Sequence, residues 1–220
     1  MVEISTSILS VDEQTYIKTF YDLEFAKTDY FHVDVMDGKF VDNDTSAKML
    51  KYSNDIKHIS NTPLDVHLMV EDVKEYVEDY IPLEPRIITF HIEAVKDEEE
   101  IRNLIKYIKQ NNIKVGLAIS PKTDIEKVYK FLEEIHLVLV MSVEPGYGGQ
   151  KLIPETLEKP KKLKQHCEQN GIEIDIEMDG GIYISNCEQV KEAGVNIIVA
   201  GSAILHAEEG YEKAIKELKK

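Results

Sequence analysis

Two patterns of apolar residues alternate along the chain. Short runs rich in Val and Ile read as strands. Between them lie longer charged segments whose apolar positions recur at helical spacing. Strands are predicted at Glu3–Leu9, Tyr30–Met36, Leu64–Val70, Ile87–Ile92, Lys114–Ile119, Leu137–Ser142, Glu173–Asp179 and Asn196–Gly201. Helices are predicted at Asp12–Ala26, Ser46–His58, Val73–Tyr80, Asp97–Gln110, Asp124–Leu132, Pro154–Gln169, Ser185–Ala193 and Tyr211–Lys219. Strands such as LVLVMSV and IIVAGSAI are apolar on both faces, as parallel strands covered by helices are. Eight such βα units with short connections predict an α/β fold, a single (β/α)8 TIM barrel. No linker or composition break marks a second domain within residues 1–220. An open doubly wound sheet would carry a glycine-rich turn after its first strand. Here that turn reads SILSVDE, with no glycine.

One strand departs from the apolar rule. In Tyr30–Phe40, YFHVDVMDGKF, residues His32, Asp34 and Met36 share one face, and Val33 and Val35 share the other. Polar groups that face a core must be paired, metal-bound or at work. The Asp-Gly that follows is a turn signal, so His32 and Asp34 stand near the carboxyl end of their strand. Barrel enzymes gather their functional groups at that end, and other strands agree. The first ends in Ser7–Ser10, the third carries His67, the fourth carries His91 and Glu93, and the sixth runs into PGYGG. The seventh ends in Met178-Asp179-Gly180-Gly181 and the eighth in Ala200-Gly201-Ser202.

His32, Asp34, His67 and Asp179 form a set of two imidazoles and two carboxylates suited to one divalent transition ion per chain. Zn²⁺ comes first, with Fe²⁺, Mn²⁺ or Co²⁺ as alternatives. A satisfied core residue would explain any one of them alone; four at strand ends point to a site. Asp34 and Asp179 are expected to face each other across the ring. That placement suits a two-base proton transfer, in which one carboxylate abstracts and the other donates on the opposite face. A metal between them would polarise a carbonyl or stabilise an enediolate.

The pairs Gly180-Gly181 and Gly201-Ser202 stand where this fold binds phosphate through backbone N–H groups. Gly146, Tyr147, Gly148 and Gly149 form a loop long enough to act as a lid. Met36, Met69, Met141 and Met178 fall near strand ends, where thioethers make an adaptable, water-poor lining; Met36, Met69 and Met141 are assigned to the pocket wall. Ser7 is placed for its hydroxyl to touch substrate. His91 and Glu93 are assigned a structural role, and Cys167 and Cys187 are read as unreactive helix residues.

Charge and cysteine count then narrow the partners. The formal net charge of −15 argues against nonspecific nucleic-acid binding and against docking on an anionic membrane. It leaves room for a small anion held by backbone donors or a metal. Two cysteines without a CxxC predict no disulfide scaffold and a reducing, cytoplasmic setting. MVEISTSILS has no basic region and no long apolar run, so no signal peptide is expected. No stretch approaches the ~20 apolar residues that cross a bilayer.

At these residues the chain resembles the ribulose-phosphate 3-epimerase family. The resemblance covers nearly the whole chain and is most specific at SILS (Ser7–Ser10), HVDVMDGKFV (His32–Val41), LDVHLMV (Leu64–Val70), MSVEPGYGGQ (Met141–Gln150), MDGGI (Met178–Ile182) and VAGSAI (Val199–Ile204). It implies a (β/α)8 barrel that interconverts D-ribulose 5-phosphate and D-xylulose 5-phosphate in the pentose phosphate pathway. It implies that His32, Asp34, His67 and Asp179 hold the metal and that Asp34 and Asp179 are the acid–base pair. It also implies that Ser7 and His67 touch the substrate, while Gly146–Gly149, Gly180, Gly181, Gly201 and Ser202 surround it and its phosphate. The expected partners are a small phosphorylated ketose and further copies of the chain. The sequence departs from the family at Thr6, at Val41–Lys48, at Ser120-Pro121, at Glu144-Pro145 and at Met178. These departures leave two rivals in view: an epimerase of D-allulose 6-phosphate and a catalytically silent sugar-phosphate-binding barrel.

Overall fold

All eight predicted strands form, and each hydrogen-bonds in parallel to its neighbour in sequence. In this computed structural model, which describes residues 2–220, the strands are β1 (Glu3–Ser7), β2 (Tyr30–Met36), β3 (Leu64–Met69), β4 (Ile87–His91), β5 (Lys114–Ile119), β6 (Leu137–Met141), β7 (Asp175–Asp179) and β8 (Ile197–Ala200). β8 pairs with β1, and the sheet closes into a ring in sequence order. The crossovers carry α1 (Tyr16–Phe25), α2 (Ser46–Ile59), α3 (Val73–Tyr80), α4 (Glu98–Gln110), α5 (Glu158–Asn170) and α6 (Cys187–Glu192); α7 (Ser202–Leu205) and α8 (Tyr211–Lys219) follow β8. No helix among the described residues is long and apolar enough to cross a membrane.

The differences from the predicted elements are local. α1 begins at Tyr16 rather than Asp12 because the Asp12 carboxylate accepts a hydrogen bond from the Gln14 N–H, 2.8 Å away, and closes a turn. The segment predicted as a helix from Asp124 is a 3₁₀ helix, Ile125–Phe131. Pro154 opens a 3₁₀ turn that precedes α5. The Asn186 side chain accepts from the Tyr183 N–H, which delays α6 to Cys187. α7, directly after Gly201, is an additional short helix.

The strand period sorts side chains into two cores. Val33, Val35 and the other outward residues join one large apolar cluster between the ring and its helices. The inward residues are of two kinds. Ile87, Ala118, Leu137, Leu139, Met141 and Ile197, from β4, β5, β6 and β8, make a small apolar cluster inside the ring. Ser5, His32, Asp65 and Glu177, from β1, β2, β3 and β7, make a polar set, and all are at most 1% exposed. A barrel with half its interior polar must satisfy that half by hydrogen bonds or charge, and the candidate site lies directly above it.

Candidate active site

The register of β2 against β3 sets the first contacts. It places His32 beside Asp65 and Asp34 beside His67. His32 Nδ1 lies 2.7 Å from Asp65 Oδ2, so its N–H donates there and its Nε2 points toward Asp34 Oδ1 at 3.3 Å. His67 Nδ1 lies 3.3 Å from the same Asp34 oxygen. Asp179 completes the group: His32, Asp34, His67 and Asp179 each offer a ligand atom within 4.8 Å of the others. His32 Nε2 is buried and has no hydrogen-bond partner. A bare imidazole nitrogen facing a carboxylate oxygen needs a proton or a cation between them. The donor set, two nitrogens and two carboxylate oxygens, therefore fits a divalent transition ion.

The two carboxylates are held differently. Burial would raise the Asp34 pKa, but the adjoining His32 and His67 outweigh it and hold Asp34 well below the usual carboxylate range. Ser7 adds a hydrogen bond from its hydroxyl to Asp34 Oδ2, 2.8 Å. For Asp179, burial acts first and the Asp34 charge second, and together they push it up to about 7. Burial would depress His32, yet Asp34 and Asp65 hold it well above its ordinary value. In His67 burial wins, and its pKa falls.

These groups open into a cleft of about 650 Å³ at the carboxyl ends of the strands. Ser7, Asp34 and Asp179 line it, and so do Met36, Met69 and Met141. The predicted fourth methionine, Met178, points outward into the core between ring and helices. Gly146, Tyr147, Gly148 and Gly149 form one rim, while Gly180, Gly181, Gly201 and Ser202 form another. Gly181 has a φ of +65°, and a Cβ there would lie 2.2 Å from the Leu152 amide nitrogen. Only glycine fits so close an approach. The departing loop after β2 is ordered by its own bonds. Asp37 accepts from the N–H groups of Lys39 (2.9 Å), Phe40 (2.9 Å) and Glu71 (2.7 Å). The Asn43 amide donates to the Gly146 carbonyl on the facing rim, 3.2 Å.

Three strand steps of the eight-stranded ring, through β8 and β1, separate β7 from β2, so Asp179 and Asp34 enter the cleft from well-separated sides of the ring. Their carboxylates nevertheless converge closely enough to share the metal-type cluster. His67, at the register level of Asp34, has no exposed surface and stands against the Asp34 carboxylate that lines the cleft.

Two buried groups, Asp65 and Glu177, escaped the sequence reading. They lie two residues before His67 and Asp179, on the same faces. Asp65 also accepts from the Ser5 hydroxyl, 2.7 Å. Glu177 is fully buried; burial and the nearby Asp65 push its pKa well up. The same two-residue period that singled out His32 and Asp34 marks both positions. His91 touches the set directly, with its Nε2 2.9 Å from His67 Nε2.

Fold and site together define a class: a (β/α)8 barrel with a His/Asp cluster under a glycine-rimmed cleft at the carboxyl ends of its strands. Residues 3–205 match the model of the Ribulose-phosphate 3 epimerase family. The ribulose-phosphate 3-epimerase of Synechocystis is 38% identical over 214 residues, covering 97% of this chain and 91% of the relative. That of Methanocaldococcus jannaschii is 38% identical, covering 100% and 90%, and that of Bacillus subtilis 34% identical, covering 100% and 99%. The chain belongs to the ribulose-phosphate 3-epimerase family, and it is an enzyme of the isomerase class, an epimerase acting on carbohydrates. More distant solved structures share the fold. KGPDC from Streptococcus mutans superposes with a TM-score of 0.73 at 12% identity, covering 100% of this chain and 98% of that one. The 3-hexulose-6-phosphate synthase of Salmonella typhimurium does so at 0.67 and 17%, covering 99% and 97%.

Proposed function

We propose that the protein interconverts D-ribulose 5-phosphate and D-xylulose 5-phosphate by moving the C3 proton between Asp34 and Asp179. The observation that carries this reading is the pair itself: two carboxylates line one cleft, one held ionised and the other held up to about 7. A base and an acid are thereby available together near neutral pH. The names of the full-length relatives supply the substrate.

For one epimer, Asp34 takes the C3 proton while Asp179 returns a proton to the other face, through an enediolate of the sugar. For the other epimer the two exchange roles. Ser7 keeps Asp34 oriented through its hydroxyl. Met36, Met69 and Met141 present an apolar wall that limits water at the reacting carbon. The rim at Gly180, Gly181, Gly201 and Ser202 is the proposed phosphate seat, with backbone N–H groups as donors. The cleft lining contains no Lys or Arg. His32, Asp34, His67 and Asp179 would hold one divalent ion, Zn²⁺ first among the candidates. Such an ion supplies Lewis-acid polarisation of the substrate carbonyl and offsets the negative charge that develops beside it.

Comparing turnover of D-ribulose 5-phosphate with that of D-allulose 6-phosphate tests the substrate. A higher kcat/KM for the pentulose is expected; a clear preference for the hexulose would reject the assignment.

A further inference from the structure

His67 has its proposed ligand nitrogen, Nδ1, turned toward Asp34, and its other nitrogen turned away from the cleft. That second nitrogen, Nε2, lies 2.9 Å from Nε2 of His91, and both rings are fully buried. One proton must sit between these two nitrogens, because two bare imidazole nitrogens at this distance repel. Either His67 donates and keeps Nδ1 free for a cation, or His91 donates and the His67 proton moves to Nδ1, where it blocks a cation.

The far side of His91 decides between them. Its Nδ1 lies 3.1 Å from Glu93 Oε2. The other carboxylate oxygen of Glu93 accepts from the Ser120 N–H at 2.8 Å and from the Thr123 hydroxyl. A carboxylate in these bonds can only accept. His91 must therefore donate from Nδ1, which leaves its Nε2 bare to accept from His67. The proton order runs one way: His67 Nε2–H to His91, then His91 Nδ1–H to Glu93. Lys159 holds the loop that carries these donors, through the carbonyls of Ser120, Pro121 and Thr123 at 2.7–2.9 Å.

Resting on the metal reading above, the geometry points to His91 and Glu93 as a positioning relay: Glu93, at the rim, selects the tautomer of His91 and through it the His67 tautomer that leaves Nδ1 free for a divalent cation. His32 reaches the same end by a direct bond to Asp65. Partners of this kind orient a metal-ligating imidazole, and losing one typically weakens metal binding ~10–100-fold. Glu93 is the more informative position, because Gln can reverse the relay. Its oxygen would stay with the Ser120 N–H, its NH₂ would face His91 Nδ1, and His91 would then donate toward His67.

The test is Co²⁺ binding to the full chain, read by its visible absorption in competition with a chelator. Glu93→Gln and His91→Phe are expected to weaken Co²⁺ binding ~10–100-fold with an altered spectrum. His91→Gln, whose amide oxygen can stand where Nε2 stood, is expected to bind close to wild type. A space-filling role for His91 predicts the reverse order, with Phe tolerated and Gln not, and that order overturns the relay. So does unchanged Co²⁺ binding and spectrum in Glu93→Gln protein whose circular dichroism matches the wild type. Wild-type protein that takes up no Co²⁺ overturns the metal reading and the relay with it; wild type that binds while the variants bind equally well overturns the relay alone.

Discussion

Asp34 and Asp179 lie near the carboxyl ends of two strands of one ring and line the same cleft, but their surroundings differ in kind. Asp34 stands among polar partners: the Ser7 hydroxyl donates to one oxygen and ring nitrogens of His32 and His67 approach the other. Among the described residues, no side-chain donor is bonded to the Asp179 carboxylate, which is half-buried and feels the Asp34 charge. The first is held ionised and the second is raised to about 7. Neighbours assign the acid and the base, where composition would call the two residues equivalent.

Removing either carboxylate should have the largest effect. Asp34→Asn and Asp179→Asn are each expected to lower kcat for epimerisation by ~10²–10⁴-fold or more, with the circular dichroism of the folded chain retained. Equal residual rates close to wild type in either variant would dissolve the comparison.

A cation should erase the difference, and pH should report it. In protein stripped with a chelator, Asp179 and His32 both carry raised pKa values, so both hold protons at pH 6. A divalent ion must displace them. Zn²⁺ affinity should therefore fall about tenfold per pH unit for each displaced proton as pH drops below 7. Calorimetry in two buffers of different ionisation enthalpy should show more proton release at pH 6 than at pH 8. Release that does not change between the two would contradict the raised groups.

Ser7→Ala sharpens the contrast with a smaller effect. It removes a hydrogen bond to a charged oxygen, worth about 1.5–3 kcal/mol, and makes Asp34 more like Asp179. Steady-state kinetics should show kcat reduced by roughly tenfold, with the acid limb of the pH–rate profile shifted upward. An unchanged profile would mean that the histidines alone hold Asp34 ionised.

The barrel was legible because its signals are local and repeated. Eight apolar runs alternating with helical spacing, and no glycine turn after the first, fixed the fold class. His32 and Asp34 were legible because polar residues on a buried face cannot be idle. Asp65 and Glu177 obey the same rule but lie lower in the ring, and only the register of β2 against β3 shows that Asp65 serves His32. His91 and Glu93 were read as structural for a similar reason: the bond from His91 to His67 joins β4 to β3, and no spacing along one strand displays it. The relation of Asp34 to Asp179 depends on the count of strands around a closed ring, which puts three strand steps between them.

The most direct test of the two-carboxylate scheme is deuterium exchange at C3 from solvent D₂O, followed by NMR for each pentulose 5-phosphate with Asp34→Asn and Asp179→Asn. With one base left in each variant, exchange should be lost for one epimer in Asp34→Asn and for the other in Asp179→Asn. Fast exchange of both epimers in both variants would show that neither carboxylate moves the proton.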